Sequence, residues 1–160
     1  METDRFYLEL ALEEAQLAGQ EGTYPIGAVV VSPDGVVLSR GRNRVYSAGD
    51  YTAHAEVEAI RNAGGKLMAS SYREKCTLYT TLEPCLMCAG ALLMATIVRV
   101  VWAANDDDYG VPRHLYQGGL YPALFASTMM TATPEPDIAE RANALMSRWI
   151  LDPKPQKLNG

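Results

Sequence analysis

Cysteine is scarce in this chain: three residues in 160. That is too few for a disulfide scaffold, and it fits a reducing compartment, so a cytoplasmic location is expected. Basic residues are also short, 14 Lys and Arg against 19 Asp and Glu, for a net charge of −5. Such a balance weighs against a broad nucleic-acid-binding surface and leaves room only for a local basic rim. No long hydrophobic run exists. The longest apolar stretch, residues 89 to 98, is interrupted by Gly90 and Thr96 and is too short to span a bilayer, so no membrane role is expected. Met1-Glu2-Thr3-Asp4-Arg5 lacks the basic-then-apolar pattern of a signal peptide. Repeats and low-complexity blocks are absent too.

What remains is an ordinary globular composition, 48% hydrophobic, of a size that makes one domain over residues 1–160 with a real core. Leu8, Ala11, Leu12, Ala15 and Ala18 follow helical spacing, which predicts a first amphipathic helix over residues 3–20. A β-branched run over 26–32, a Pro33-Asp34-Gly35 turn and a return over 36–41 read as a hairpin. Residues 42–53 read as a polar loop. A helix over 55–63 stops at Gly64-Gly65. Strands are expected over 76–81, 98–103 and 124–130, and helices from Pro84 to about Thr96 and over 134–149. Residues 105–122 read as irregular, and 152–160 as a tail or lid. Strand-helix-strand repeats imply parallel neighbours, hence an α/β fold: a mixed five-stranded sheet with helices on both faces, three layers in all.

The chemistry concentrates in two short motifs. His54-Ala55-Glu56 supplies one imidazole and one carboxylate; Pro84-Cys85-Leu86-Met87-Cys88 supplies two thiols. Cys85 and Cys88 share a helix face, and Pro84 suits a first helical position, so both sulfurs are expected at a helix N-terminus where thiolate is favoured. Two thiolates and a neutral imidazole fill three positions on zinc and leave a fourth for water, the pattern of a catalytic site. A closed structural site needs a fourth ligand, for which Cys76, His114 or an acid are the candidates. Buried cysteines and a redox pair are further readings; His-x-Glu beside the cysteines speaks against the latter.

H-x-E followed by P-C-x-x-C is the signature of zinc deaminases acting on nucleobases, and the chain resembles the cytidine deaminase superfamily over nearly its whole length. Bacterial tRNA adenosine deaminases are similar at Pro25-Ile26-Gly27-Ala28-Val29, at Thr52-Ala53-His54-Ala55-Glu56 and from Thr81 to Ala91; fungal-type cytosine deaminases are similar at Leu78-Tyr79-Thr80-Thr81-Leu82 and across the same metal motif. Guanine deaminases share the core pattern. The resemblance implies a cytidine-deaminase-like fold and a zinc-dependent hydrolase that deaminates a nucleobase, nucleoside or related amino-heterocycle. By the same resemblance zinc is expected to be held by His54, Cys85 and Cys88, with Glu56 as the proton shuttle. It also implies substrate contacts from the Asn43 amide and the backbone N–H groups of Ala55 and Cys85, a lid carrying Trp149 and Asp152, and a homodimer formed through the helices beside the metal, with Leu92, Leu93 and Met94 supplying apolar contact.

Each of these residues has a plainer use. Asn43 is a common turn residue after a strand, Trp149 a common helix-end core aromatic, and Glu56 without its neighbours a solvated first-turn acid. Arg40, Arg42 and Arg44 read first as a solvated strand end and second as a phosphate site. Asp106-Asp107-Asp108 reads as a solvated acidic loop, and His114 as an isolated loop residue. A cytosine-type free base is the favoured substrate; conversion of adenosine to inosine in tRNA is disfavoured by the acidic charge and by a tail with only Lys154 and Lys157 as bases. A catalytically silent zinc-binding module is the reading from a different class, and the intact Glu56 opposes it.

Overall fold

Alternation along the strands builds the molecule. The computed structural model describes residues 3–113, 128–132 and 135–152. In chain order the elements are α1 (Asp4–Gln20), β1 (Gly27–Val31), β2 (Val37–Arg42), α2 (Val45–Ala48), α3 (Ala55–Ala63), β3 (Thr77–Leu82), α4 (Leu86–Met94), β4 (Arg99–Ala104), β5 (Met129–Ala132) and α5 (Pro136–Leu151). The sheet runs β2-β1-β3-β4-β5. β1 is antiparallel to both its neighbours, whereas β3, β4 and β5 are mutually parallel.

Successive side chains of a strand point to opposite faces. Ala28, Val30, Leu78, Val100 and Trp102 meet Ala59, Ala63, Leu92 and Leu93 of α3 and α4 on one side. Val29, Val31, Tyr79, Val101 and Ala103 meet Tyr7 and Leu8 of α1 and Ile138 of α5 on the other. β1 is buried along its whole length, as expected of a central strand with both faces covered. α3 lies so close on β2 that a methyl group at Gly41 would overlap the backbone of Ala55 and Ala59. That approach fixes the height of α3, and with it the start of the helix.

The layered α/β architecture is the one the sequence implies, with local differences. Residues 42–53 hold a short helix, α2, closed by Gly49 at φ 64, where a plain loop was expected. Pro84 is not the first residue of α4: Cys85 takes the N-cap in extended backbone, φ −73 and ψ 175, and the helix starts one residue later. The fifth strand begins at Met129, and residues 124–127 of its expected range lie outside the described residues. Leu92 and Leu93 are core residues, at 0% and 7% exposure, because their face of α4 packs on the sheet. The outward face of α4 instead presents Leu86, Met87 and Met94. No helix among the described residues is long and apolar enough to cross a membrane.

Candidate active site

The ends of β2, β3 and β4 and the start of β1 meet at one edge of the sheet, and two helices begin there. His54 is the N-cap of α3 and Cys85 the N-cap of α4. Cys88 is one turn into α4 and fully buried. Cys85 Sγ lies 3.7 Å from His54 Nδ1, and the three ligand atoms fall within 4.8 Å of one another. The donor set is soft, two sulfurs and one imidazole nitrogen, which suits zinc and not the oxygen-seeking magnesium or calcium. No fourth Cys or His joins it among the described residues. Cys76 is buried elsewhere, bonded to the Tyr72 carbonyl at 3.4 Å, and His114 lies outside the described residues. Three protein ligands with an open position describe a catalytic zinc site.

Hydrogen bonds among the ligands divide their proton affinities, favouring thiolate at Cys85 and the protonated forms of Cys88 and His54. Hydrogen bonding with Cys88 is the main influence drawing the Cys85 thiol down to about 4; burial opposes it and His54 adds to it. The same bond, with burial, pushes Cys88 up. The bond to Cys85 raises His54. Glu56 sits at the second position of α3, 4% exposed, and its carboxylate accepts from Cys88 Sγ at 3.4 Å. Burial raises its pKa above the usual carboxylate range. Burial makes this carboxyl group hold a proton more readily than a solvated one, which suits a group that must take a proton and give it back.

A cavity of about 370 Å³ ends on His54, Glu56 and Cys85. Its walls are Tyr24, Ile26, Asn43, Val45, Tyr46, Tyr51, Leu82, Glu83, Asp106, Tyr109 and Met146. Among the described residues that lining has no Lys or Arg and carries three carboxylates and four tyrosines. Asn43 is 1% exposed and reaches the pocket from the end of β2. One rim is knotted onto Glu83, whose side chain is wholly buried. Its carboxylate accepts from the backbone N–H of Asp106 (3.2 Å) and of Arg113 (3.1 Å) and from Arg113 Nε (2.6 Å). Gly110 packs so tightly against Glu83 and Asp106 that a side chain there would overlap them.

The other expected residues fall as follows. Trp149 stands one aromatic layer behind the pocket, its ring 4.3 Å from that of Tyr24 and 5.9 Å from that of Tyr46. With Asp152 it lines a separate cavity of about 660 Å³ between the ends of α1 and α5. Met146, one turn earlier on α5, is the residue of that helix that reaches the metal pocket. Arg40 pairs with Glu13 at 2.8 Å, and Arg42 with Glu14 at 2.9 Å and Glu21 at 2.7 Å, so both charges are spent on α1 and its end; Arg44 is exposed. Asp106 lines the pocket and its Oδ1 accepts the N–H groups of Asp108 and Tyr109, both at 3.0 Å. Asp107 pairs with Arg113 at 2.9 Å. The tyrosines, Met146 and Glu83 were not singled out in the sequence. The available signal was compositional: nine Tyr against two Phe, with two of them, Tyr46 and Tyr51, between Asn43 and His54.

A family profile, the cytidine and deoxycytidylate deaminase zinc-binding region, matches residues 1–104. The chain is 42% identical over 105 residues to a tRNA-specific adenosine deaminase of Aquifex aeolicus, covering 66% of this chain and 68% of the relative. It is 38% identical over 117 residues to a cytosine deaminase of Candida albicans, covering 73% and 77%. A structure solved in a study of A-to-I editing by tRNA deaminases at the wobble position superposes with a TM-score of 0.74 at 35% identity, covering 86% of this chain and 99% of that one. The chain belongs to the cytidine and deoxycytidylate deaminase family, and its cofactor is zinc.

Proposed function

We propose that this zinc deaminase hydrolytically removes the exocyclic amine of an uncharged amino-heterocycle, with a cytosine-type free base as the first substrate. The observation that carries the reading is the pocket lining: among the described residues, carboxylates and tyrosines surround the metal ligands and no Lys or Arg is present. A nucleotide or an RNA backbone gains most of its affinity from Lys and Arg, and Arg40 and Arg42 are both engaged by carboxylates. Kinship with a cytosine deaminase supports the same choice.

His54, Cys85 and Cys88 hold the metal. Zinc, when bound, acts as a Lewis acid that makes water acidic enough to attack near neutral pH. Glu56 receives a proton from the attacking water on its carboxylate. It delivers that proton to the ring nitrogen beside the reacting carbon, then transfers the water's second proton to the departing amine, which leaves as ammonia. Water oxygen ends on the ring carbon as the new carbonyl. Asn43 and the N–H groups of Ala55 and Cys85 orient the ring, and the tyrosine walls exclude bulk water. The exposed Leu86, Met87 and Met94 of α4 form the face through which a homodimer assembles. Three cysteines, two of them assigned to the metal, suit a reducing cytoplasm.

Adenosine in tRNA is the second reading, favoured by the similarity to tRNA-specific enzymes. Ammonia release from cytosine, guanine, adenine, their nucleosides and an anticodon stem-loop separates the two. Turnover of a free base with none on the stem-loop is expected. Inosine formation in the stem-loop, with inert free bases, overturns the first reading.

A further inference from the structure

Asn43 has two faces, a carbonyl oxygen that accepts and an amide that donates, and only one of them can be shown to a ligand at a time. The backbone settles which. The N–H of Val45 is a donor without alternative, and it points at the Asn43 side chain from 3.1 Å, so the atom it meets is Oδ1. A second donor holds the same oxygen: Thr23 Oγ1, at 2.6 Å. Thr23 is 0% exposed and lies between α1 and β1, and its hydroxyl receives the Tyr46 N–H at 3.4 Å. That weak contact leaves the hydroxyl proton for Asn43. With Oδ1 doubly held, Nδ2 makes no hydrogen bond to any described residue, and Asn43 lines the pocket.

We propose that Thr23 is a positioning residue for the deaminase site: it locks the Asn43 amide so that the pocket presents a donor, and so selects rings that offer an acceptor at that edge. The inference rests on the pocket being the substrate site, and it deepens that reading by stating what the substrate must carry. Without the hydroxyl, the Val45 N–H alone opposes rotation of the amide about its last bond. The flipped amide would turn its oxygen toward the ring acceptor and leave the Val45 N–H facing Nδ2, two donors together. A ring with an amine or N–H at that position meets donor against donor in the locked state and is rejected, because leaving buried polar groups unpaired is costly.

Thr23→Val and Thr23→Ser in the zinc-loaded enzyme test the lock. Valine keeps the shape and loses the hydroxyl; serine keeps the hydroxyl. For whichever base is turned over, KM of Thr23→Val rises about tenfold, the worth of one neutral hydrogen bond. Its kcat stays within about threefold, since no reacting atom is touched. Thr23→Ser stays near wild type on both. A second readout needs no substrate. The side-chain amide of Asn43, followed by ¹⁵N NMR, gives one proton pair in wild type and Thr23→Ser, and doubled or exchange-broadened signals in Thr23→Val. Thr23→Ala serves the same two readouts if the valine variant does not fold. A folded valine or alanine variant with unchanged KM and a single amide pair overturns the lock, as does equal loss in serine and valine. If no base is turned over, the proposed reaction fails, and the amide spectrum still decides the lock.

Discussion

One methyl group at Gly41 should reach the metal site from across the sheet. Gly41 lies in β2, and a Cβ there would overlap the amide of Ala59 and the carbonyl of Ala55, both backbone atoms of α3 that no rotamer change can clear. Gly41→Ala therefore has to lift α3 from the sheet. Overpacking of this kind costs about 1–3 kcal/mol, at the upper end here because the obstruction is backbone. For a domain of this size each kcal/mol moves Tm by roughly 2–4 °C, so a fall on the order of 5–10 °C is expected by differential scanning calorimetry. The lifted helix carries His54 and Glu56 at its N-terminus, so zinc affinity should fall as well, by about 10–100-fold if the loss resembles that of an outer-shell ligand support. Competition with a chromogenic chelator reads that number. Gly90→Ala is the control. Gly90 is in α4 with nothing within 4 Å of the added carbon. There the same substitution adds helix propensity worth about 0.5–1 kcal/mol, and because Gly90 shares the outward face of Leu86 and Met94, any larger effect would report the proposed dimer contact and not the metal site. Wild-type Tm and zinc affinity in Gly41→Ala would refute the claim that close packing of α3 on β2 sets the metal site.

Glu56→Gln should retain one zinc per chain and lose turnover by at least about 10²–10⁴-fold in steady-state assays; near-normal rates would remove Glu56 from the proton path. Cys85→Ala should show metal loss by elemental analysis together with a lower Tm, because binding and folding are coupled. Acid titration should expose the pair at the far edge of the sheet, where Arg99 donates to Asp4 at 2.8 Å and, with Tyr79, holds its carboxyl below the usual range. A depressed folded value means this stability is complete above about pH 4 and is lost as pH falls through the folded pKa. Asp4→Asn should flatten urea midpoints against pH in that window, and an unchanged slope would contradict the pairing. Leu86→Arg combined with Met94→Arg should yield a monomer by sedimentation with the fold intact; an unaltered sedimentation coefficient would place any dimer contact elsewhere.

The layered architecture was legible because it depends on short-range patterns. The β-branched run over 26–32 read as a strand from its composition, and Gly64-Gly65 ended α3 where expected. The metal ligands were legible because soft donors at fixed spacing have few other uses. Pocket walls were not. Tyr24, Tyr46 and Met146 come from three separate segments, and each by itself is an ordinary half-buried side chain. Trp149 and Met146 lie on one helix three residues apart, and only the crossing of α5 over the sheet decides which of them faces the metal. Leu92 and Leu93 misled for the same reason: in a helix apolar nearly all round, sequence does not say which side is covered.

Two ligands that are helix caps do more than bind an ion. His54 and Cys85 are 31 residues apart in the chain, and they join the start of α3 to the start of α4. Held through one metal, they close a loop as a cross-link does, and the loop-closure relation for 31 residues gives about 3–4 kcal/mol of lost freedom in the unfolded chain. Opening of the two helices is then a single event. In amide exchange the first turns of α3 and α4 should share one protection free energy that falls together on chelation. The opposite face, where α1 and α5 cover the sheet, should keep its own clock.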